Sequence, residues 1–172
     1  MIELFQPSSM AWSDVIVRLA AAIFLPLAIG IERFLHRKPI DFRPYVIISV
    51  AACGLLVGTT ELLESQSNNT NQIDPTKVIE GIITGIGFIG AGAMFRQGNY
   101  VQGAGSASSI WCAGAIGIVC GMGELWLAGM ITAIVLVLLF VSRPFTDNWD
   151  PASESDDQGD APDTANGAGK DG

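Results

Sequence analysis

Charged residues make up only 15% of this 172-residue chain, there is a single histidine, and nowhere does a stretch of alternating apolar and polar residues mark a half-buried strand. No Lys/Arg stripe is present to track a nucleic-acid backbone, so nucleic acid is excluded as a partner. The three cysteines, Cys53, Cys112 and Cys120, each sit inside an apolar run and follow neither a disulfide nor a zinc spacing; they read as small hydrophobes. His36 has no ligand partner at helical spacing. There is no Walker motif, no kinase signature and no Ser/His/Asp order, which excludes an ATP-hydrolysing pump for this chain acting alone and predicts that it is not an enzyme. The N-terminus lacks an early basic cluster, so it does not read as a cleaved signal peptide, and the first helix is expected to stay in the mature protein.

What the chain has is apolar surface. Hydrophobic residues account for 49% of it and the mean hydropathy is +0.42, more than the core of a soluble domain this small requires. Lipid takes the surplus, and because the runs are continuous the spanning elements are helices rather than barrel strands. The net charge of −8 misleads until it is located. Beyond Arg143 lie Asp147, Asp150, Glu154, Asp156, Asp157, Asp160, Asp163 and Asp171, opposed only by Lys170; the remainder is near neutral. Residues 146–172 are therefore expected to form a disordered acidic cytoplasmic tail behind a membrane domain of residues 1–145.

Five apolar segments can be marked, at 14–31, 45–63, 77–95, 106–120 and 125–142, which predicts an all-α bundle of about five transmembrane helices. The fourth is short of the usual span of about 20 residues, so it must recruit the flanking glycines 103–105 and 121–123 or cross irregularly. Arg33, Arg37, Lys38 and Arg43 fall between segments one and two, Arg96 between three and four, and Arg143 after the fifth. The positive-inside bias then places those connections and the C-terminus in the cytoplasm and the N-terminus outside. Trp12 and Trp126 fall at the outer boundaries, as interfacial aromatics do; Trp111, within the fourth segment, reads as a packing residue or as a residue lining a path.

The third segment carries Gly81, Gly85, Gly87, Gly90 and Gly92. Gly81 with Gly85, and Gly87 with Ala91, are small-xxx-small pairs that let helix backbones approach, so this helix is expected to be the central, most enclosed one. Gly85, Gly87 and Gly90 also fit G-x-G-x-x-G, but without a strand before them or a βαβ unit around them they do not read as a nucleotide site. Within the spans the costly groups are Arg18 and Glu80. Their depths match, which allows an ion pair between the first and third helices; the alternative is that Arg18 snorkels and Glu80 pairs with Lys77. Glu32 with Arg96 is a second candidate pair at the inner surface. The outer acids Asp14, Glu61, Glu64, Asp74 and Glu124 are scattered, so no ligand cluster supports Mg²⁺ binding and no cofactor is expected.

Gly30-Ile-Glu32-Arg33, Asp74-Pro75, the run from Gly85 to Gly92 followed by Arg96, and Ser106-Ala-Ser108-Ser-Ile-Trp111 together resemble the MgtC/SapB family, over roughly residues 18–140. The resemblance implies a multi-pass bacterial inner-membrane protein needed at limiting Mg²⁺ and, in pathogens, for intracellular survival and virulence. It further implies action through other membrane machinery, such as the F-type ATP synthase, rather than direct transport. The alternative is an Mg²⁺, ion or small-solute transporter or channel whose path runs beside the glycine-rich third helix. Arg18, Glu32, Arg33, Arg43, Asp74, Glu80, Arg96, Ser108 and Trp111 are the candidate functional residues. Where the family has a Gly-Leu-Arg-Thr-His-like stretch this chain has Asp41-Phe-Arg43-Pro-Tyr45, and it reads as a short form without the soluble C-terminal domain. Besides lipid and such machinery, a second copy of the chain is a candidate partner.

Overall fold

The computed structural model describes residues 10–35, 41–65, 74–97 and 100–142. Among these residues there are five helices: α1 (Trp12–Leu35), α2 (Arg43–Ser65), α3 (Pro75–Gly92), α4 (Ala104–Met122) and α5 (Leu125–Val141). Chain contacts divide the protein into two units, Met1–Val137 and Leu138–Gly172; the packing described below belongs to the first. The expected acidic tail and the basic residues Arg37, Lys38 and Arg143 lie outside the described residues.

Helices α1, α2 and α4 are long and apolar enough to cross a membrane. At about 1.5 Å rise per residue they run to roughly 36, 34 and 28 Å, against a hydrocarbon core of about 30 Å. The fourth segment reaches its 19 residues by recruiting glycines on both sides. Gly103 and Gly123, both at positive φ (87° and 89°), stand just before and just after it. A side chain on Gly103 would also place its Cβ against the Ala93 carbonyl oxygen, at 2.1 Å, so the turn into α4 requires glycine twice over. Pro26 sits inside α1 and is buried, the backbone continuing helically through it.

Two expectations are corrected at α3. This helix stops at Gly92, where three glycines in its last turns weaken it, and the next residues pair as a short antiparallel hairpin, β1 (Phe95–Gln97) with β2 (Tyr100–Gln102), Arg96 opposite Val101. Arg96 therefore belongs to a hairpin strand and not to a helix end. Nor is α3 the enclosed element. That place belongs to α4, of whose apolar stretch 61% is buried, against 22% for α1 and 28% for α2.

The reason is which side of each helix carries the small residues. Gly117 faces the backbone of Ser49 in α2, where an added Cβ would lie 2.2 Å from the Ser49 carbonyl oxygen; Gly121 faces the Cys53 carbonyl and Leu56 Cβ. Residue numbers rise together across this seam, so α2 and α4 run parallel, while Gly90 against Ala107 and Ile86 against Gly114 make α3 antiparallel to α4. Val78, Ile79 and Ile82 of α3 pack on a core cluster of Ala52, Leu56 and Ile118. In contrast, a Cβ added to Gly81, Gly85, Gly87 or Gly92 would meet no described atom within 4 Å. Within one chain only Gly90 of the five plays the expected packing role. The last helix is apolar throughout but buries only Ala128 and Thr132.

Candidate functional site

Two arginines of α1 hold the two ends of α4. Arg18 Nη1 donates to the Gly121 carbonyl oxygen at 2.7 Å, and its guanidinium also fills the space beside Gly123, an added Cβ there falling 2.8 Å from Nη2. Carbonyls in the last turn of a helix have no intrahelical partner and carry the negative end of its dipole, so a cation here satisfies an acceptor and the field together. Of the two arrangements open to Arg18, the pair with Glu80 is not formed: Arg18 turns to α4, and Glu80 lies exposed on α3.

Fifteen positions further along α1, Arg33 reaches the first turn of α4 fifteen positions before Gly121. Its Nη2 donates to Ser106 Oγ at 2.9 Å, and both nitrogens of its fork lie 3.7 Å from where a Gly105 Cβ would be. Arg33 is 7% exposed, an unusual burial for a cation, and its Nε has no hydrogen-bond partner. The hydroxyl of Tyr45, third residue of α2 and fully buried, lies within interaction range of the same guanidinium without making a hydrogen bond of good geometry. One turn along α2, the buried Ser49 Oγ is also unpartnered. Among the described residues other buried helix hydroxyls are satisfied by the preceding turn, Thr59 by Leu55, Ser109 by Gly105 and Thr132 by Ala128. The polar deficit is thus local to the seam of α1, α2 and α4.

The other candidate residues are dispersed. Arg43 is exposed and pairs with Asp41, Nε to Oδ2 at 3.2 Å. Asp74 caps α3, accepting from Thr76 N at 2.9 Å, and the hydrogen bonds from the Thr76 hydroxyl and N–H, then the charge of Lys77, hold its carboxyl below the usual range. Ser108 is exposed and donates to the Ala104 carbonyl; Trp111 is 46% exposed on the outer side of α4. Glu32 is half-buried beside Arg33 in sequence, and the side chain of Arg96 lies outside what is described. Sequence reasoning placed Arg33 among the candidates but chose Ser108 where Arg33 binds Ser106, and missed Tyr45 and Ser49. The signal for them was their spacing: residues 45, 49 and 53 follow one face of α2 at intervals of four, and all three are buried. Among the described residues no three His, Cys, Asp or Glu side chains stand together as a metal site.

The model of the MgtC family matches residues 19–148, a range that contains Arg33, Tyr45, Ser106, the glycines of α3 and all of α4. The chain belongs to the MgtC family. Similar proteins include Protein MgtC of Brucella abortus (strain 2308), 32% identical over 126 residues that cover 73% of this chain and 50% of that protein. Protein MgtC of Salmonella typhimurium (strain LT2) is 31% identical over 121 residues, 70% of this chain and 49% of its own. An uncharacterized protein of Haemophilus influenzae is 33% identical over 135 residues, 77% and 56% of the two chains. The chain spans about half the length of these relatives. No solved structure matches. Membership in the MgtC family and three helices able to cross a bilayer make this a membrane protein.

Proposed function

We propose that this MgtC-type protein is a non-enzymatic regulator of the inner membrane that serves adaptation to low Mg²⁺ by docking against other membrane proteins, the F-type ATP synthase among them. One observation carries the reading: α3 turns Gly81, Gly85 and Gly92 away from its own bundle, with no described atom within 4 Å of a Cβ at any of them. Phe88, on the same side of the helix at i+3 from Gly85, is 83% exposed. In lipid, helices associate chiefly by close backbone contact over small residues, so this face is suited to receive a helix from outside the chain. The opposite face of α3 offers the rival transport path no polar lining at this level, since Ile86 Cδ1 fills the groove at Gly114. The orientation with the N-terminus outside follows from the basic connections and is part of the same proposal.

The test uses Gly85→Leu, which obstructs the outer face without touching the core. The purified variant is expected to keep its thermal midpoint and to fail to restore growth of a deletion strain at limiting Mg²⁺, while wild-type protein in liposomes passes no Mg²⁺. Mg²⁺ flux through wild-type liposomes that Gly85→Leu abolishes would overturn the regulator reading in favour of a transporter.

A further inference from the structure

At the seam of α1, α2 and α4 a cation is buried against the wrong end of a helix. Arg18 sits where a helix dipole welcomes positive charge; Arg33 sits at the first turn of α4, the positive end, and Tyr45 is in the first turn of α2, so two helix N-termini approach one guanidinium. Among the described residues no carboxylate pairs with Arg33, whose one hydrogen bond of good geometry is to the neutral Ser106, with the neutral Tyr45 hydroxyl beside it. A buried charge without a counter-charge is strongly unfavourable, and each unsatisfied buried polar group adds its own desolvation cost. Three donors of this seam, Arg33 Nε, Tyr45 Oη and Ser49 Oγ, are unsatisfied together. Of these groups Arg33 Nε can only donate, while the Tyr45 and Ser49 hydroxyls can donate or accept, so an acceptor bearing negative charge is a partner that each of them could use and that would also neutralise the guanidinium.

We propose that Arg33, Tyr45 and Ser106 form an anion site for a phosphate group, supplied either by a lipid headgroup or by inorganic phosphate. A planar carboxylate would use one edge of the guanidinium. Donors arriving from three helices suit a tetrahedral oxyanion, whose oxygens point in several directions: one to the Nε side of Arg33, one to the Tyr45 hydroxyl, one to Ser106, whose proton must point away from the nitrogen already donating to it. Gly105 leaves the first turn of α4 bare next to the guanidinium, and helix N-termini with exposed N–H groups bind phosphate readily. Bound phosphate would supply the missing counter-charge and tie three helices together at one end of the bundle. Regulator or transporter, the chain would need this site in the same way.

The full chain in detergent, at constant ionic strength, is titrated with inorganic phosphate and, separately, with short-chain phosphatidic acid, following the thermal midpoint. A saturable rise with either ligand, absent with chloride, is expected. Tyr45→Phe and Ser106→Ala each remove one donor to a charged group and should weaken the apparent affinity about tenfold or more. Arg33→Lys keeps the charge and loses the fork, and should abolish the rise; should that variant not fold, the two milder ones carry the test. Saturation by inorganic phosphate identifies the free ion as a ligand. A response to phosphatidic acid alone, with the lipid retained on the wild type and lost from Tyr45→Phe in native mass spectrometry, identifies the headgroup. A midpoint unmoved by both ligands, or an affinity unchanged in both Tyr45→Phe and Ser106→Ala, would overturn the site.

Discussion

At the scale of the residue, the tolerance of a glycine in this protein depends on what faces it. A methyl group at Gly117 would press on the Ser49 carbonyl oxygen and Cα, backbone atoms that no rotamer change can move. Gly117→Ala is expected to cost about 1–3 kcal/mol, the usual range for overpacking, measurable by unfolding in mixed micelles. Gly85→Ala meets nothing and gains helix propensity, so it should leave stability unchanged or raise it by up to about 1 kcal/mol. Arg18→Met removes a charge-assisted hydrogen bond from the last turn of α4 and should destabilise by about 1.5–3 kcal/mol in the same assay. Part of this was legible beforehand. The sequence marks Arg18 as a buried-depth cation needing a partner, but a carbonyl partner leaves no trace in residue identity, because every residue has one. Glu80 looked like the partner only because carboxylates are the acceptors that a sequence displays.

At the scale of the element, helix boundaries were legible where a chemical stop exists and obscure where glycine is frequent. Asp74-Pro75 carries a chemical start signal, yet the apolar segment marked in the sequence begins at residue 77; the structure starts α3 at Pro75 with the aspartate as its cap. The end of α3 was misplaced because an apolar glycine run has the same composition whether it continues the helix or leaves it for a hairpin. Likewise the small residues of α3 and α4 look equivalent in sequence; only the direction each face takes decides that α4 is the one enclosed. The cap gives a pH prediction. Asp74 is held below its ordinary value in the folded protein, so its contribution is present in full above the unfolded carboxylate range. It is lost as pH falls through the lower folded value. The protection of first-turn amides of α3, taken as the exchange rate relative to that of the unfolded chain at the same pH, should fall on acidification, and Asp74→Ala should show the lower protection already at neutral pH with little further dependence on acid.

At the scale of the whole molecule, the bundle is organised around one helix, α4, that has no charged side chain of its own and takes its charged contacts at both ends from α1. Arg18 and Arg33 are separated by the same number of residues as the two α4 positions they bind, Gly121 and Ser106, about 22 Å apart in each helix. The pair works as a gauge block. A slide of α1 along α4 by a single turn would break both attachments at once, stranding one arginine against apolar wall and the other beyond the helix end. Piston-like movement of these two helices is thereby suppressed. Under the proposed regulator role, a signal would have to travel by tilt, by rotation, or by release of the hairpin and α3 from a clamped α1–α4 frame.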